Sequence, residues 1–331
     1  APLVPFHTWL PDSGAEAPIG GAVILVGVLD KVGTFGFIRY CLPLFPEASR
    51  AFAPWVLALA VAGVLYAALL AMGQSDMKRL VSYTSISHFG FIALGIFAFT
   101  TEAGTGAVLY MVNHGISTGL LFIVVGMLIS RGGSRQIGDY GGVASYAPLL
   151  AGSFLIAGLA SLALPGTNSF VSEFLTLIGS FPSRPVFTII ATTGMILAAL
   201  YILLMYQRTM NGPPRGVLLE DLPAGADVGP VGGESAHDRL VGASGGHHGG
   251  ATSTAVLVEP TTTARARLRI RDLDRREIAV VTPLIALIIA LGVYPQPLLN
   301  LIRPAVAATM SDVGSNPHGI TPTHSNSNEG K

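Results

Sequence analysis

Lys31 stands at the middle of an apolar run, Ala22 to Tyr40 (AVILVGVLDKVGTFGFIRY), with Asp30 beside it. Further along, His88 lies in VSYTSISHFGFIALG, His114 in VLYMVNHGISTGLLF and Glu173 in NSFVSEF, each inside or next to an apolar stretch. These residue types take up and release protons, and histidine does so near neutral pH. A lysine at the centre of a bilayer-spanning helix costs roughly 2.5–3.5 kcal/mol on insertion scales, so such a residue faces a protein interior or a wet path. Lys31, His88, His114 and Glu173 therefore point to a relay that carries protons through a membrane. Asp30 is adjacent to Lys31, about 100° away on an α-helix, and is expected not to face it directly. It is read as a modulator of the lysine.

The spacing around these groups is helical. Thr84 and Ser85 precede His88 by four and three residues, so hydroxyls and imidazole share a face. Tyr110, Asn113, His114, Ser117 and Thr118 fall at i, i+3, i+4, i+7 and i+8, a polar stripe on an otherwise apolar helix. Such a stripe packs helices by hydrogen bonds or lines a wetted path. Glu173 follows the interruption Pro165-Gly166-Thr167-Asn168. Asn168 or Ser169 is expected to cap the helix after it, placing Glu173 near the first turn, where the helix dipole favours a carboxylate by about 0.3–1 kcal/mol.

The elements that must position these residues are membrane spans. The chain has 331 residues, 50% hydrophobic and only 11% charged, with a mean hydropathy of +0.59. A soluble domain carries about 25% charged residues. With about 20 apolar residues needed per crossing, the pattern predicts an all-α integral membrane bundle of about seven spans. They fall at 18–41, 53–73, 80–100, 104–130, 147–181, 186–207 and 278–302. The stretch 147–181 is too long for one simple span and is read as two half-helices around the Pro-Gly break, a feature tolerated where protein or water covers the freed backbone groups. Residues 1–16, with three prolines, suit a half-helix. The predicted organisation is a membrane domain over 1–208, a disordered Gly/Pro/His/Arg-rich loop over 209–277, a last span at 278–302 and a polar tail at 303–331. Lys78, Arg79, Arg131, Arg135 and the arginines of 208–277 lie on one side by parity. The positive-inside rule makes that side cytoplasmic and the C-terminus outside.

Other features exclude functions. Net charge is zero, which gives no electrostatic ground for nucleic-acid binding. The sequence contains neither a Walker-type loop nor GxGxxG, so no nucleotide cofactor site is expected. The single cysteine, Cys41, excludes an internal disulfide and a multi-cysteine cluster. His237, His247 and His248 lie in a Gly-rich stretch without metal-ligand spacing, and no metal is expected there. The basic run 265–277 suits anionic lipid or a positive-inside flank. The chain opens on APLVPFHTWLPD, which reads like the interior of a longer sequence.

Five stretches carry a family resemblance: PFHTWLPDSGAEAPIGGAVILVGVLDKVGTFGFIRY, SDMKRLVSYTSISHFGFIALG, MVNHGISTGLLFIVVGML, SRQIGDYGGVA and LPGTNSFVSEFLTLIGSF. They resemble the M-subunit family of bacterial NADH-quinone oxidoreductase, respiratory complex I. The likeness is continuous over 1–210 and weaker at 278–302. It implies the antiporter-like fold with discontinuous helices, and a chain that corresponds to the last half of that fold. It implies that Lys31 is the central channel lysine, that His88 and His114 continue a hydrophilic axis, and that Glu173 is the acid near its exit. It implies proton translocation driven by quinone reduction, with NADH, FMN, iron–sulfur clusters and quinone on other subunits and no cofactor in this chain. Partners would be L- and N-type antiporter-like subunits and the lipid of the bacterial inner membrane. The D-type subunit of a multi-subunit cation/proton antiporter and a membrane hydrogenase subunit share the pattern. Asp30, at a position usually apolar in this family, and the long 209–277 stretch depart from it.

Overall fold

The computed structural model describes residues 2–214, 216–218 and 270–313. Among them there is no β-strand, only one isolated bridge between Asp76 and Gln136. Six helices are long and apolar enough to cross a membrane. In chain order, α1 (Trp9–Glu16) is a half-helix. It is followed by α2 (Ile19–Leu44), α3 (Pro46–Met72), α4 (Met77–Phe97) and α5 (Thr101–Gly132). The short pair α6 (Pro148–Ser161) and α7 (Asn168–Ser180) comes next. Then come α8 (Pro185–Met210) and α9 (Arg275–Val293), and α10 (Gln296–Asp312) closes the described chain.

Burial ranks these helices. In α4 the most apolar window is 94% buried inside the protein, against 28% in α2 and 11% in α9. So α4 is the axis, with α3, α5 and α7 packed on it. The outward residues of α2, Ile24, Val28, Val32 and Phe35, are more than half exposed and apolar, as lipid or another membrane protein requires.

Helix ends are set by identifiable residues. Asp76 caps α4, accepting from the backbone N–H of Lys78 at 2.8 Å and of Arg79 at 3.1 Å. Thr100 caps α5 through Ala103 N–H and donates its own hydroxyl to the Gly179 carbonyl at 2.8 Å, tying α5 to α7. Asp274 and Glu277 form a capping box at the start of α9. The break between α6 and α7 turns through Gly166 at φ +94°, in the left-handed region that favours glycine. At 14 and 13 residues, α6 and α7 are each about 20 Å long, too short to cross about 30 Å of hydrocarbon alone. The expected pair of half-helices is what the chain forms.

Three boundaries differ from expectation. The last span does not run through 278–302. It ends at Val293, and a separate helix starts at Gln296, because Pro295 and Pro297 cannot donate backbone N–H groups to continue α9. Residues 303–312, expected as tail, are helical in α10, with Leu299, Ile302, Val306 and Met310 buried along one face. Residues 270–277, expected in the disordered loop, are described and held in place. Asp272 accepts from the N–H groups of Leu149 and Leu150 at 3.0 and 2.9 Å. Arg131 donates to the Arg271 carbonyl at 2.7 Å and pairs with Glu277. The rest of that loop, His237, His247 and His248 included, lies outside the described residues, as does the tail beyond 313.

The α5–α6 connection is folded tightly. Burial pushes the Tyr140 hydroxyl up to about 12, so it stays protonated and donates to the Ser134 carbonyl at 2.6 Å.

Candidate functional site

α2 is not a uniform α-helix. It contains π turns at Leu25–Leu29 and Phe37–Cys41, and such bulges are frequent at functional sites. Asp30 and Lys31 follow the first one directly and are 3% and 8% exposed. The expectation that they do not face each other is overturned, because Lys31 Nζ lies 2.9 Å from Asp30 Oδ1. The long lysine stem folds back along its own helix, and Nζ also donates to the carbonyl of Val26 within the π turn. The side chains of two adjacent residues thus form an ion pair inside the protein. An ion pair buried in this way is costly to break from one side, by about 3–5 kcal/mol.

From Lys31 the contacts pass to α4. Its ammonium stands 5.5 Å from the ring centre of Phe89. The Phe89 ring meets His114 of α5 edge to face, centroids 5.6 Å apart. His114 lies against His88 of α4, centroids 5.3 Å apart. His88 Nδ1 is 2.7 Å from the Tyr110 hydroxyl, which donates to Glu173 Oε2 on α7 at 2.8 Å. All four predicted residues therefore fall in one series of interior contacts, and His88, His114 and Glu173 are 3% exposed or less.

With the Tyr110 O–H directed at Glu173, the short contact at His88 Nδ1 is made by an N–H donating to the tyrosine oxygen. A neutral His88 then presents Nε2 as an acceptor. That nitrogen and both ring nitrogens of His114 have no protein partner among the described residues. Thr118 Oγ1 and Thr176 Oγ1 on α5 and α7 are likewise unpartnered. Buried polar atoms of this kind are served by ordered water.

The helices approach closely where small residues allow it. A Cβ on Gly106 would lie 2.5 Å from the backbone nitrogen of Thr176. Gly106 is one turn before Tyr110, so α5 and α7 meet backbone to backbone beside the Tyr110–Glu173 bond. On the other flank, a Cβ on Gly115 would lie 2.6 Å from the Gly27 carbonyl, bringing α2 against α5 next to His114. Asn113 and Asn168 bond reciprocally through each other's backbone carbonyls at 2.7 and 3.1 Å. Asn113 of the polar stripe thus packs helices, while Tyr110 and His114 belong to the contacts that run from Lys31 to Glu173.

Two corrections concern α7. Its N-cap is Thr167, which makes no side-chain cap bond, and Asn168 is already the first helical residue. Glu173 accordingly falls in the second turn, where the helix dipole has faded. Its partner is a hydroxyl rather than the helix end.

Sequence reasoning placed Tyr110 in the stripe without a role, and it is the group that joins His88 to Glu173. It also read Lys78 only as a loop cation. Lys78 is 5% exposed, and its ammonium donates to the Ala15 and Ala17 carbonyls, both at 2.6 Å, at the C-terminal end of α1. Arg135 joins it on Ala15 at 2.7 Å. Two cations on the last carbonyls of a half-helix satisfy both its unpaired acceptors and its dipole. Among the described residues, no cluster of three or more His, Cys, Asp or Glu side chains is arranged to hold a metal ion.

Known proteins share this architecture. The NADH-quinone oxidoreductase subunit M of Mycobacterium tuberculosis is 44% identical over 314 residues, 95% of this chain and 48% of that protein. The subunit M of Pseudomonas aeruginosa is 39% identical over 300 residues, 91% of this chain and 49% of that protein. The chain spans about half the length of the curated relatives it matches. Among solved structures, a chain of respiratory complex I from Thermus thermophilus with bound NADH superposes with a TM-score of 0.74 at 30% identity, over 95% of this chain and 56% of that one. A chain of the Mrp complex from Dietzia superposes with a TM-score of 0.73 at 23% identity, over 95% and 58%, a likeness of fold. The model of the transmembrane family "NADH:quinone oxidoreductase/Mrp antiporter, TM" matches residues 1–199. The chain is a multi-pass membrane protein of that family.

Proposed function

We propose that this chain is a proton-translocating membrane unit of NADH-quinone oxidoreductase, in which protons pass along Lys31, His114, His88, Tyr110 and Glu173. The observation that carries the reading is the bonded end of that path, His88 to Tyr110 at 2.7 Å and Tyr110 to Glu173 at 2.8 Å.

The chemistry is a relay. A proton arriving at His88 Nε2 makes an imidazolium. Its Nδ1 proton moves to the Tyr110 oxygen while the Tyr110 proton moves to Glu173. His88 ends neutral with its proton on Nε2, Tyr110 is again a phenol, and Glu173 is a carboxylic acid that releases the proton onward. Lys31 is the upstream station, and Asp30 is its counter-charge and modulator.

The driving force is quinone reduction on other subunits, which would hold NADH, FMN, iron–sulfur clusters and quinone. L- and N-type antiporter-like subunits would be the membrane neighbours. In the bacterial inner membrane the 209–277 stretch would face the cytoplasm and the C-terminus the outside, as the Lys/Arg asymmetry supports. Moving one charge against 100 mV costs about 2.3 kcal/mol, a load that only a coupled step sustains.

The test is Lys31→Met or Glu173→Gln in the assembled complex, reading NADH-driven acidification of inverted vesicles. Loss of acidification with quinone reduction retained is expected. Undiminished acidification in an intact complex overturns the path.

The fold match to the Mrp complex favours a second reading, a subunit of a cation/proton antiporter. Sodium-dependent proton exchange, with NADH oxidation unaffected by deletion, would select it.

A further inference from the structure

One join of the path runs through an apolar ring. His88, Tyr110 and Glu173 are joined by hydrogen bonds and His114 lies ring to ring against His88, but among the described residues no hydrogen bond or ion pair joins Lys31 to either histidine. The group in contact with both sides is Phe89. Its ring is fully buried, 5.5 Å from the Lys31 ammonium and 5.6 Å from the His114 ring. It offers its face to the cation, the arrangement of a cation–π contact, and passes no proton. We infer that Phe89 is the gate between Lys31 and the histidine relay, closed in the arrangement described here. This rests on the proton path proposed above.

The surroundings fit a gate that moves by its side chain. The next residue, Gly90, lies so close to α3 that a Cβ would stand 2.5 Å from the Ala60 carbonyl, which holds the α4 backbone in place. On the other side, Lys31 follows the π turn Leu25–Leu29, a segment whose rewinding would shift the ammonium against the ring. The unpartnered nitrogens of His114 and His88 lie beyond the ring, ready to accept.

With the ring swung aside, water bridges Lys31 Nζ and His114. An ammonium N–H bond breaks as a water O–H forms. That water gives another of its protons to the unprotonated ring nitrogen of His114. Lys31 is left neutral, His114 becomes an imidazolium, and the water is regenerated. With the ring returned, the proton cannot go back, so the gate confers direction.

The experiment uses the assembled complex in liposomes with Phe89→Ala, Phe89→Leu, Lys31→Met and the double variant Phe89→Ala/Lys31→Met. Passive proton conductance without turnover is read beside protons moved per NADH oxidised. Phe89→Ala is expected to raise passive conductance about tenfold, equivalent to about 1.4 kcal/mol off the barrier, and to lower the proton yield while NADH oxidation continues. Phe89→Leu restores tightness, and Lys31→Met in the double variant removes the leak, results that a packing defect alone would not give. Should Phe89→Ala not assemble, Phe89→Val serves the same comparison. Wild-type conductance and yield in the smaller variant, with pumping lost in Lys31→Met, overturns the gate and leaves the path. Full pumping in Lys31→Met overturns the path itself.

Discussion

The Tyr110 hydroxyl donates to Glu173 at 2.8 Å while its oxygen meets His88 Nδ1 at 2.7 Å, so one phenol joins an imidazole on α4 to a carboxylate on α7. Tyr110→Phe keeps the ring and removes the join. Glu173 then loses the only hydrogen bond it makes among the described residues, at about 1–3 kcal/mol for a buried acceptor left unsatisfied. NADH-driven acidification of inverted vesicles should fall at least about tenfold with quinone reduction retained, since positioned proton transfer is typically worth 10²–10⁴-fold. Undiminished acidification would remove Tyr110 from the path.

Asp30 and Lys31 should behave as a unit. Asp30→Asn leaves the lysine charge unpaired in the interior and should cost about 3–5 kcal/mol of stability. Replacing both by leucine should return stability to wild type or above it, because the burial penalty of two ions disappears. Thermal unfolding of the detergent-solubilised complex measures both. A double variant no more stable than Asp30→Asn would show that the pair does not act as one.

Gly106→Ala should separate α5 from α7. The new methyl carbon would meet the Thr176 backbone nitrogen at 2.5 Å, and backbone cannot move aside as a side chain does. Overpacking of this kind costs about 1–3 kcal/mol. The Tyr110–Glu173 bond one turn away lengthens with it, so a lower melting temperature and weaker proton translocation should appear together. A change in one without the other would break the link between packing and path.

Lys78→Met should loosen α1 and little else. The Ala15 and Ala17 carbonyls lose their 2.6 Å donors, while Arg135 still holds Ala15. Amide exchange over 9–18 should rise, with that of α5 and α7 unchanged. Equal exchange throughout would mean that Arg135 alone holds the half-helix.

An ionisable residue is legible in the sequence where it is conspicuous against apolar neighbours. Lys31, His88, His114 and Glu173 stood out for that reason, as did the break at Pro165 and Gly166. The Tyr110–Glu173 bond did not stand out, because it depends on how closely α5 and α7 approach, and that is set by Gly106, a residue with no chemistry of its own. The Asp30–Lys31 contact was missed because a 100° separation of Cα–Cβ directions ignores the length of a lysine stem and the π turn before it. The end of α9 was misplaced because hydropathy is continuous through Tyr294, while the prolines on either side of Gln296 decide the backbone. Phe89 looked like any core aromatic, and only its two contacts distinguish it.

The α5–α6 connection and the helix ends beside it hold the residues on both sides of the stretch 219–269. Before it, Gly142 N–H donates to the Asn211 carbonyl at 3.1 Å and Gly216 abuts the Asp139 backbone. After it, Arg131 and the Leu149 and Leu150 N–H groups hold residues 271 and 272. The chain thus leaves the bundle and re-enters it on one face, and bonds made by the bundle itself fix both points. Exit and re-entry are therefore clamped independently of α8 and α9, so helix registration is set by the bundle's own bonds at both points.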